Sequence, residues 1–441
     1  MLSDPIVAVA TPPGRSALAV VRLSGAGAFA VAARVIQGFR ADEPRRATLT
    51  TFRAADGTPI DRGLYTVFPA PASYTGEDLV ELSCHGGLAV PARLVAALHA
   101  AGARPAQRGE FTRRAVLHGK LDLLQAVAVG DLIDATAPAQ ARAALAQLEG
   151  GLSRRLCDLR DRLLELQALL GYAIDFPDED DGPVPADRIG AALEDAASLV
   201  ERLLATAPGG ERLREGALVV LAGRPNAGKS SLFNALLGTE RALVTEVPGT
   251  TRDAIEAHTD FLGWPVRLAD TAGLRTAEDR VERLGVEVSR RWLAAADLVV
   301  LCAEAGRPLA EDEARVATEY PVLVARTKSD LAGAAPGELG VSVISGAGLD
   351  RLRRLAGERL YGERLALADL EPGLTRARHA EALARARDAL AEAAPHLGPR
   401  GEAVLAAHHV RQATLALDEL IGTVDVDEVL GRIFSTFCVG K

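Results

Sequence analysis

The nine residues GRPNAGKSS (223–231) constrain the fold of this chain more than any other stretch. They match the pattern G-x-x-x-x-G-K-[ST], and they lie between an apolar strand-like run, ALVVLAG, and an apolar helical run, SSLFNALLG. A strand, a glycine-rich turn and a helix in this order form a P-loop, whose backbone amides surround phosphate oxygens. In such a loop Lys229 would hold the β- and γ-phosphates and Ser230 would bind Mg²⁺. The stretch therefore predicts a nucleotide-binding domain.

The segments that follow the P-loop indicate the rest of the phosphate and metal site. PGTTRD (248–253) supplies threonines that could complete a magnesium shell. DTAG (270–273) follows the strand-like run VRLAD, which would place Asp270 beside the metal and the Gly273 amide near the γ-phosphate. This order is that of a Ras-like G domain, so we expect a nucleoside triphosphate bound with magnesium.

The identity of the base is indicated by TKSD, which begins at Thr327 and stands where GTPases carry N-K-x-D. Asp330 would accept hydrogen bonds from the N1 and N2 donors of guanine, which adenine cannot supply, and Lys328 would stack over the base. Threonine in place of asparagine weakens one hydrogen bond but keeps the discriminating carboxylate. SVISGAG stands where S-A-K usually supports the base, and it keeps only the serine, Ser342. The sequence predicts guanine over adenine.

The position that orients the attacking water in Ras-like switches lacks its usual glutamine. Leu274 follows DTAG directly, and its side chain cannot orient water. RTAEDRVERLG (275–285) offers three carboxylates instead, Glu278, Asp279 and Glu282. From the residues alone, each is more readily explained as a surface carboxylate of a charged helix. A self-sufficient hydrolase would need a catalytic group that this pattern alone does not identify.

The composition excludes several other classes of protein. Of the 441 residues, 48% are hydrophobic and 25% are charged, so the chain can bury cores and is not of a disordered type. Its apolar runs are far shorter than a membrane span, and MLSDPIVAVATPPG lacks the basic region of a signal peptide. Four scattered cysteines without a C-x-x-C pair exclude a disulfide scaffold or zinc ribbon and suit a reducing cytoplasm. The net charge of the chain is −9, so an RNA substrate would have to be held by a local basic patch or by a partner.

Lysine and asparagine are rare, and their positions are informative for that reason. The four lysines among the 50 basic residues are Lys120, Lys229, Lys328 and Lys441. Asparagine occurs only as Asn226, in the P-loop, and Asn234. A coding bias towards arginine explains the rarity, and the exceptions mark places where a compact ammonium or a neutral amide is needed. Lys441 ends the chain, in the tail FSTFCVGK.

Changes in hydrophobic periodicity divide the chain into domains. Residues 1–118 alternate like strands between glycine and proline turns and predict an α/β module. Residues 119–214 have the apolar spacing of helices, interrupted by the acidic loop DFPDEDDGPVP. Over 215–365, the apolar runs ALVVLAG, WPVRLAD, DLVVLCAE, PVLVART and GVSVIS alternate with helices, which is typical of a parallel sheet covered on both faces. Helical spacing resumes over 366–441, so the G domain is predicted to be inserted into a helical domain built from both flanks.

Eight segments together resemble one family. TPPGRSALAVVRLSG, SYTGEDLVELSCHGG, GEFTRRAVLHGKLDLLQA, GYAIDFPDED, GRPNAGKSSLFNAL, VTEVPGTTRDAIE, DTAGLRTAEDRVERLGVE and LGRIFSTFCVGK are similar, in this order, to the MnmE (TrmE) family of tRNA modification GTPases. The resemblance runs from Ile6 to Lys441. Many ribosome-assembly GTPases share PNAGKS, whereas the N-terminal segments and the FCVGK end are far more specific. The resemblance implies a multidomain α/β and α fold, with a folate-binding N-terminal domain, a helical bundle and an inserted P-loop G domain.

For the nucleotide site, the resemblance implies GTP, Mg²⁺ and K⁺. Ser230 and Thr251 would hold magnesium, and Glu282 would orient the attacking water through a bridging one. Potassium would replace an arginine finger, and its ligands would be Asn226, Thr245, the Val247 carbonyl and Thr250. The implied GTP contacts are Asn226, Ala227, Gly228, Lys229, Ser230, Ser231, Thr245, Glu246, Val247, Pro248, Gly249, Thr250, Thr251, Asp270, Thr271, Ala272, Gly273, Thr327, Lys328, Asp330 and Ser342.

For the N-terminal domain, the resemblance implies a bound tetrahydrofolate derivative, either 5-formyl or 5,10-methylene. Its pterin presents a donor edge for Glu81, and its polyanionic glutamate tail favours Arg22, Lys120 and the terminal Lys441. Without the family, Arg22 and Glu81 would be ordinary strand residues. Cys438 would be either a thiol nucleophile or base near the folate, or a packed apolar cysteine.

The resemblance also implies partners and a reaction. The chain would form a cytoplasmic homodimer whose G domains meet with GTP and potassium, and it would act with the FAD- and NADH-using MnmG (GidA) in a heterotetramer or larger complex. Together they would install a (carboxymethyl)aminomethyl-type group at C5 of the wobble uridine of certain tRNAs. The folate would supply the carbon, and glycine or ammonium the nitrogen. GTP hydrolysis would drive dimer closure, not the chemistry.

Two other functions stay open at this point. A ribosome-assembly GTPase would carry a basic RNA-binding appendage, which the acidic balance does not favour. A regulatory switch or scaffold would tolerate Leu274, whereas Glu282 and the folate-type segments favour an enzyme. The tail is not a C-a-a-X prenylation signal, because glycine occupies an aliphatic position. Cys84 and His85 are adjacent in a strand, so they cannot both face one metal ion.

Overall fold

The computed structural model describes residues 4–176, 185–238, 255–270, 290–362, 373–397, 402–421 and Gly440. These residues fall into two units. One unit contains the residues up to Gly130 and those from Leu417 onward, and the other runs from Asp131 to Ala416. Each unit is built on a six-stranded sheet of its own.

The first unit is a mainly antiparallel α/β module. Its strands are β1 (Ile6–Val9), β2 (Leu18–Ser24), β3 (Thr48–Arg53), β4 (Pro59–Phe68), β5 (Leu79–His85) and β6 (Arg104–Pro105), and its helices include α1 (Ala28–Val35), α2 (Ala89–Ala100) and α3 (Glu110–Leu117). The strand order is β3-β4-β5-β2-β1-β6, and β1 and β6 are parallel. Alternate residues of β2 and β5 are buried with residues of α1 and α2 in one core, so the strand pattern of the sequence has the expected structural cause.

The second sheet is the predicted nucleotide-binding sheet. Its strands are β7 (Ala217–Ala222), β8 (Ile255–Phe261), β9 (Trp264–Asp270), β10 (Leu298–Glu304), β11 (Val322–Thr327) and β12 (Leu339–Gly340), in the order β12-β11-β10-β7-β9-β8. Helices α9 (Lys229–Leu237), α10 (Glu311–Glu319) and α11 (Leu349–Tyr361) accompany it, and residues 290–295 are helical. Every residue of β7 is buried, as expected for a central parallel strand covered on both faces.

One strand of this sheet was not predicted. β8 pairs antiparallel with β9 through a two-residue turn, Leu262 and Gly263, whose φ angles are 58° and 82°. Two positive φ values in a two-residue loop suit the right-handed twist of a hairpin. The Asp260 carboxylate accepts a hydrogen bond from the Gly263 amide at 2.9 Å. The strand is half polar, so its apolar content is too low for the buried-strand pattern that identifies the other strands.

The predicted strand GVSVIS is wrong beyond its first residue. Of these residues, only Gly340 belongs to a strand. The chain turns from Ser342 onward because the Ser342 amide donates to the Ala347 carbonyl at 2.9 Å, which closes a loop. Apolar composition alone could not distinguish a strand from this partly exposed loop.

The remaining helices are α4 (Leu123–Asp134), α5 (Pro138–Leu148), α6 (Gly151–Asp175), α7 (Ala186–Leu204), α8 (Ala207–Glu215), α12 (Ala377–Ala393) and α13 (Ala403–Ile421), with a 3-10 turn at Ala394–Leu397. α7, which precedes the nucleotide-binding sheet in the chain, packs against α12, which follows it. The amide of Gln167 in α6 donates to the Thr414 hydroxyl of α13 at 2.6 Å. The G domain is therefore inserted between two halves of one helical bundle. No helix in the described part of the chain is long and apolar enough to cross a bilayer.

Candidate functional site

The turn between β7 and α9 requires glycine at two positions. Gly223 has a φ of 139°, and a Cβ there would lie 2.3 Å from the carbonyl oxygen of Cys302 in β10. Gly228 has a φ of 89° and precedes the first residue of α9. Asn226, between them, also has a positive φ, of 61°. The loop curls at the carboxyl end of a parallel sheet, and the amides at the start of α9 face it, which is the geometry of a phosphate site.

Lys229 and Ser230 lie inside this turn as the motif predicts. The Lys229 side chain is buried, and its Nζ donates to the carbonyl oxygens of Gly223 at 2.9 Å and Arg224 at 2.8 Å. The Ser230 hydroxyl donates to Oδ2 of Asp270, the last residue of β9, at 2.7 Å. A hydroxyl beside a carboxylate is a donor set that suits Mg²⁺. Two of the predicted magnesium-site segments, the P-loop and the start of DTAG, therefore meet.

A cavity of about 670 Å³ lies over the P-loop. The P-loop lines one side of it, α10 contributes Asp312, Glu313 and Val316, and Lys328 also contributes to its wall. This volume is within the usual range for a small-molecule site. Asn226 is exposed in the cavity, and no hydrogen bond of its side chain occurs within the described residues. A neutral, unengaged amide oxygen is chemically suited to bind a monovalent cation.

The predicted base-recognition residues gather where β11 ends. Thr327 is the last residue of β11 and is buried. Lys328 has a φ of 55°, and its ammonium pairs with the Glu304 carboxylate at the end of β10. Asp330 is exposed, and within the described residues its carboxylate makes no hydrogen bond or ion pair. An open carboxylate next to a positioned lysine is what guanine recognition requires.

Ser342, the other predicted base residue, lies in a second loop. Its buried hydroxyl accepts a hydrogen bond from the Ser345 amide at 3.3 Å. The Ser329 amide donates to the Val341 carbonyl at 3.2 Å, which ties the Thr327 loop to the Ser342 loop. The structure therefore brings the two predicted base loops together.

Other predicted nucleotide-site residues lie outside the part of the chain that the structure describes. They are Thr245, Glu246, Val247, Pro248, Gly249, Thr250, Thr251, Thr271, Ala272, Gly273 and Glu282. The roles assigned to them stay predictions.

In the first unit, Arg22 and Glu81 form a cross-strand ion pair between β2 and β5. Nε and Nη2 of Arg22 both donate to Oε1 of Glu81, at 3.1 Å and 2.8 Å. The guanidinium also lies over the rings of Tyr74 and Phe111, 5.3 Å and 5.7 Å from their centroids. Cation–π contacts and a carboxylate hold Arg22 in one orientation. Oε2 of Glu81 makes no hydrogen bond within the described residues, so it is available to a ligand.

The loop 73–78, which carries Tyr74, also lies against Lys120. Gly76 has a φ of 80°, and a Cβ there would lie 3.4 Å from Cγ of Lys120 and 2.8 Å from Cβ of His118. Nδ1 of His118 forms a hydrogen bond with the Thr75 carbonyl at 2.8 Å. Lys120 is exposed beside this loop. Three predicted folate residues are thus connected through one loop.

Gly440, near the end of the chain, packs against the first strand of this unit. Gly440 is buried and has a φ of 106°. A Cβ on Gly440 would lie 2.3 Å from the Val9 carbonyl oxygen and 3.0 Å from Cα of Ala10. Val9 ends β1, in which Ala8 is the register partner of Arg22. The neighbouring Cys438 and Lys441 lie outside the described residues.

Known proteins resemble this chain over its whole length. Residues 5–120 match the family described as GTP-binding protein TrmE N-terminus, and residues 123–438 match the MnmE helical domain. A tRNA modification GTPase MnmE of Thermus thermophilus is 46% identical over 450 residues, covering 100% of this chain and 99% of the relative. One of Akkermansia muciniphila is 40% identical over 457 residues and covers 100% of both chains.

The chain belongs to the MnmE family.

Among solved structures, the G domain of the Thermotoga maritima FeoB iron transporter is 26% identical, with a TM-score of 0.25, and covers 32% of this chain and 98% of that chain. Membership of the MnmE family confirms the predicted enzyme class, a GTPase. It also confirms the predicted fold class, with an α/β N-terminal domain, a helical domain and an inserted P-loop domain.

A buried charged cluster in the N-terminal domain of this MnmE-family chain was not predicted. Arg114 has no exposed surface and donates to the carboxylates of Glu77 at 2.9 Å and Glu110 at 3.0 Å. Arg104 bridges Asp4 and Glu110. Burial raises the pKa of Glu110, but hydrogen bonds from Arg104, the Gln107 amide and Arg114 more than offset it, so this pKa is lowered. The cluster anchors the loop that carries Tyr74, and its only sequence signal is the i, i+4 spacing of Glu110 and Arg114.

Cys84 and His85 point to opposite sides of β5, as expected for neighbours in a strand. Cys84 is buried, and burial raises the pKa of its thiol to about 11. His85 is exposed, and its Nδ1 pairs with the Asp61 carboxylate at 2.8 Å. Within the described residues, no group of three or more His, Cys, Asp or Glu side chains could hold a metal ion.

Proposed function

We propose that this chain is a potassium-activated GTPase that installs a (carboxymethyl)aminomethyl-type group at C5 of the wobble uridine of certain tRNAs. It would work with an FAD-dependent partner of the MnmG (GidA) type and use a one-carbon unit carried by tetrahydrofolate. The observation that carries the proposal is the contact between Ser230 of the P-loop and Asp270 at the end of β9 in an MnmE-family chain. This contact joins two motifs that only a nucleotide with a metal ion would use together.

The phosphate side of the mechanism follows from the Lys229 contacts. Its ammonium lies against two loop carbonyls, and on GTP binding it exchanges them for oxygens of the β- and γ-phosphates. Ser230 and Thr251 would hold magnesium, which neutralises phosphate charge when bound. The Asp270 carboxylate accepts a hydrogen bond from the Ser230 hydroxyl, which would leave the hydroxyl oxygen free to bind the metal.

Hydrolysis requires a positioned water and a positive charge at the leaving group. Leu274 offers no hydrogen-bonding group, and we assign the water to Glu282, the carboxylate that the family resemblance implies. Asn226 would hold potassium together with Thr245, the Val247 carbonyl and Thr250, and the bound ion supplies the charge that an arginine finger supplies elsewhere. The unengaged Asn226 amide supports this assignment.

The folate side of the proposal rests on the Arg22–Glu81 pair. Glu81 would accept hydrogen bonds from the pterin through its available oxygen, and Arg22, Lys120 and Lys441 would face the glutamate tail. Bound methylene-tetrahydrofolate would supply the carbon, and glycine or ammonium the nitrogen. The close approach of Gly440 to Val9 supports a position for the tail near this pair, where Cys438 could act as a nucleophile or base.

We also propose that the chain acts in the cytoplasm as a homodimer. On the N-terminal sheet, the cross-strand partners Leu49 and Leu64 are both exposed, and Leu18 exposes 63% of its surface. An aliphatic surface of this kind favours association with a second copy. Replacement of Leu49 by lysine should shift the protein towards monomer in analytical ultracentrifugation, whereas Leu331→Lys, at an exposed position of the other unit, should not.

The experiment that tests the proposed function is nucleoside analysis of tRNA from a strain that lacks this chain. We expect the C5 modification of the wobble uridine to disappear, wild-type protein to restore it, and Lys229→Ala not to restore it. Unchanged wobble uridines would contradict the proposal. GTP hydrolysis measured in potassium and in sodium tests the cation separately, because equal rates would remove the potassium site and favour a regulatory switch.

A further inference from the structure

The hydroxyl of Thr327 is already engaged by the protein. Thr327 is 4% exposed, and its Oγ1 donates to the Ala303 carbonyl of β10 at 3.3 Å. A threonine hydroxyl carries a single proton. Because this proton is directed at a backbone carbonyl of the neighbouring strand, Thr327 has no second donor to offer to a bound base.

Thr327 lies directly beside the P-loop. A Cβ on Gly228 of the P-loop would lie 3.8 Å from Cβ of Thr327. The next residue, Lys328, contributes to the wall of the cavity over the P-loop. An asparagine at position 327 would bring two N–H donors and one acceptor, enough to bind the protein and a base at the same time.

Guanine presents N7 as a hydrogen-bond acceptor, so N7 recognition needs a donor from the protein. Its N1 and N2 atoms are donors and need an acceptor, which Asp330 provides. We propose that this chain binds guanine without a hydrogen bond to N7, so that recognition rests on the N1 and N2 edge alone. This inference rests on the proposed GTP binding.

Two other features of the site fit a base held by stacking. The Lys328 ammonium pairs with Glu304, which fixes the aliphatic stem of Lys328 at the edge of the cavity. Ile344 replaces the lysine of S-A-K and is 87% exposed in the loop that is tied to Val341. An exposed aliphatic side chain gains from covering an aromatic base. Stacking is insensitive to the identity of the atom at position 7.

The test compares GDP with 7-deaza-GDP, in which a C–H group replaces N7. Dissociation constants are measured by isothermal titration calorimetry on the full-length protein. We expect the wild-type protein to bind the two nucleotides within about twofold of each other. Thr327→Asn adds a donor, so this variant should prefer GDP by about threefold to tenfold, the usual value of one hydrogen bond.

The matched control is Thr327→Val, which keeps the shape of the side chain and removes the hydroxyl. It should leave the ratio of the two constants unchanged. A wild-type preference for GDP of fivefold or more would overturn the inference, and its loss in Thr327→Val would show that the hydroxyl reads N7. If Thr327→Asn does not fold, the ratio of the two dissociation constants in the wild type and in Thr327→Val still tests the inference. Failure of the proposed GTPase function is distinguishable from failure of this inference, because GDP would then bind no more tightly than ADP.

Discussion

Gly440 lies so close to Val9 that a Cβ on the glycine would be 2.3 Å from the valine carbonyl oxygen. The φ of Gly440, 106°, is also one that other residues rarely adopt. The penultimate residue of the chain is therefore fitted to the end of the first strand of the N-terminal sheet. Position and backbone conformation both require glycine.

Gly440→Ala should displace the tail from β1. We expect the affinity for 5-formyl-tetrahydrofolate to fall at least about tenfold and tRNA modification to be lost, because the proposed folate site includes Lys441 and Cys438 of the displaced tail. GTP hydrolysis should stay within about twofold of wild type. The measurements are calorimetry with the folate, tRNA nucleoside analysis and phosphate release.

Gly57→Ala is the matched control for this substitution. Gly57 has a φ of 83° but no atom within 4 Å of a Cβ, so the variant carries backbone strain without the collision. It should bind folate like the wild type. Loss of both folate binding and GTP hydrolysis in Gly440→Ala would show that the tail is only structural.

Asp330→Asn should change the base that the protein selects. The asparagine amide cannot accept both the N1 and N2 donors of guanine, but it can donate to the C2 carbonyl of xanthine. We expect at least about a hundredfold weaker binding of GDP, since bonds to a charged group are strong, and a gain in the binding of xanthosine diphosphate.

The control is Asp350→Asn, because the Asp350 side chain is fully exposed in the same domain. Its nucleotide affinities should match those of the wild type. If Asp330→Asn still preferred GDP over xanthosine diphosphate, Asp330 would not be the residue that reads guanine.

Arg22→Lys should weaken folate binding while the ion pair with Glu81 is partly kept. A lysine ammonium lacks the planar group that lies over Tyr74 and Phe111 and cannot donate from two positions of a rigid fork. We expect about a tenfold rise in the dissociation constant of 5-formyl-tetrahydrofolate. Arg62→Lys, at an exposed position on β4 of the same sheet, is the control and should have no effect. Equal effects of the two substitutions would argue against a site at Arg22.

His379 should make the helical bundle sensitive to acid. It is 2% exposed in α12, and burial, followed by the charges of Arg378 and Arg376, lowers its pKa to about 3. An unfolded histidine has a pKa of about 6.5. As the pH falls below that value, the unfolded chain takes up a proton that the folded state excludes. The free energy of unfolding should then fall by about 1.4 kcal/mol per pH unit from this residue, down to the folded pKa.

Native-state hydrogen exchange of α12 amides between pH 6 and pH 4 measures this dependence. His379→Leu should reduce the slope of the free energy of unfolding against pH by the amount that corresponds to about one proton. His408→Leu, at an exposed position of α13, should leave this slope unchanged. If His379→Leu left the slope of the free energy of unfolding against pH as it is in the wild type, the buried ring would be protonated in the folded state.

Features that depend on neighbours in the sequence could be predicted. The P-loop is a local turn between a strand and a helix, so its ligands Lys229 and Ser230 are recognisable from spacing alone. The leucines of α6 are buried at three- and four-residue intervals, which is why the helical segments were identified. The hairpin strand β8 lacks a buried-strand pattern because its residues are half polar, and GVSVIS predicts a strand that the structure lacks beyond Gly340 because a loop can be apolar too.

Features that depend on residues far apart in the chain could not be predicted from spacing. Arg22 and Glu81 are 59 positions apart, and only the pairing of β2 with β5 makes them neighbours. Glu304 meets Lys328, and Gly440 meets Val9, for the same reason. Local sequence specifies elements and motifs because short-range sterics and hydrophobic periodicity act within a few residues. Which side chains finally touch is set by the packing of whole elements, whose free energy is shared among many long-range contacts.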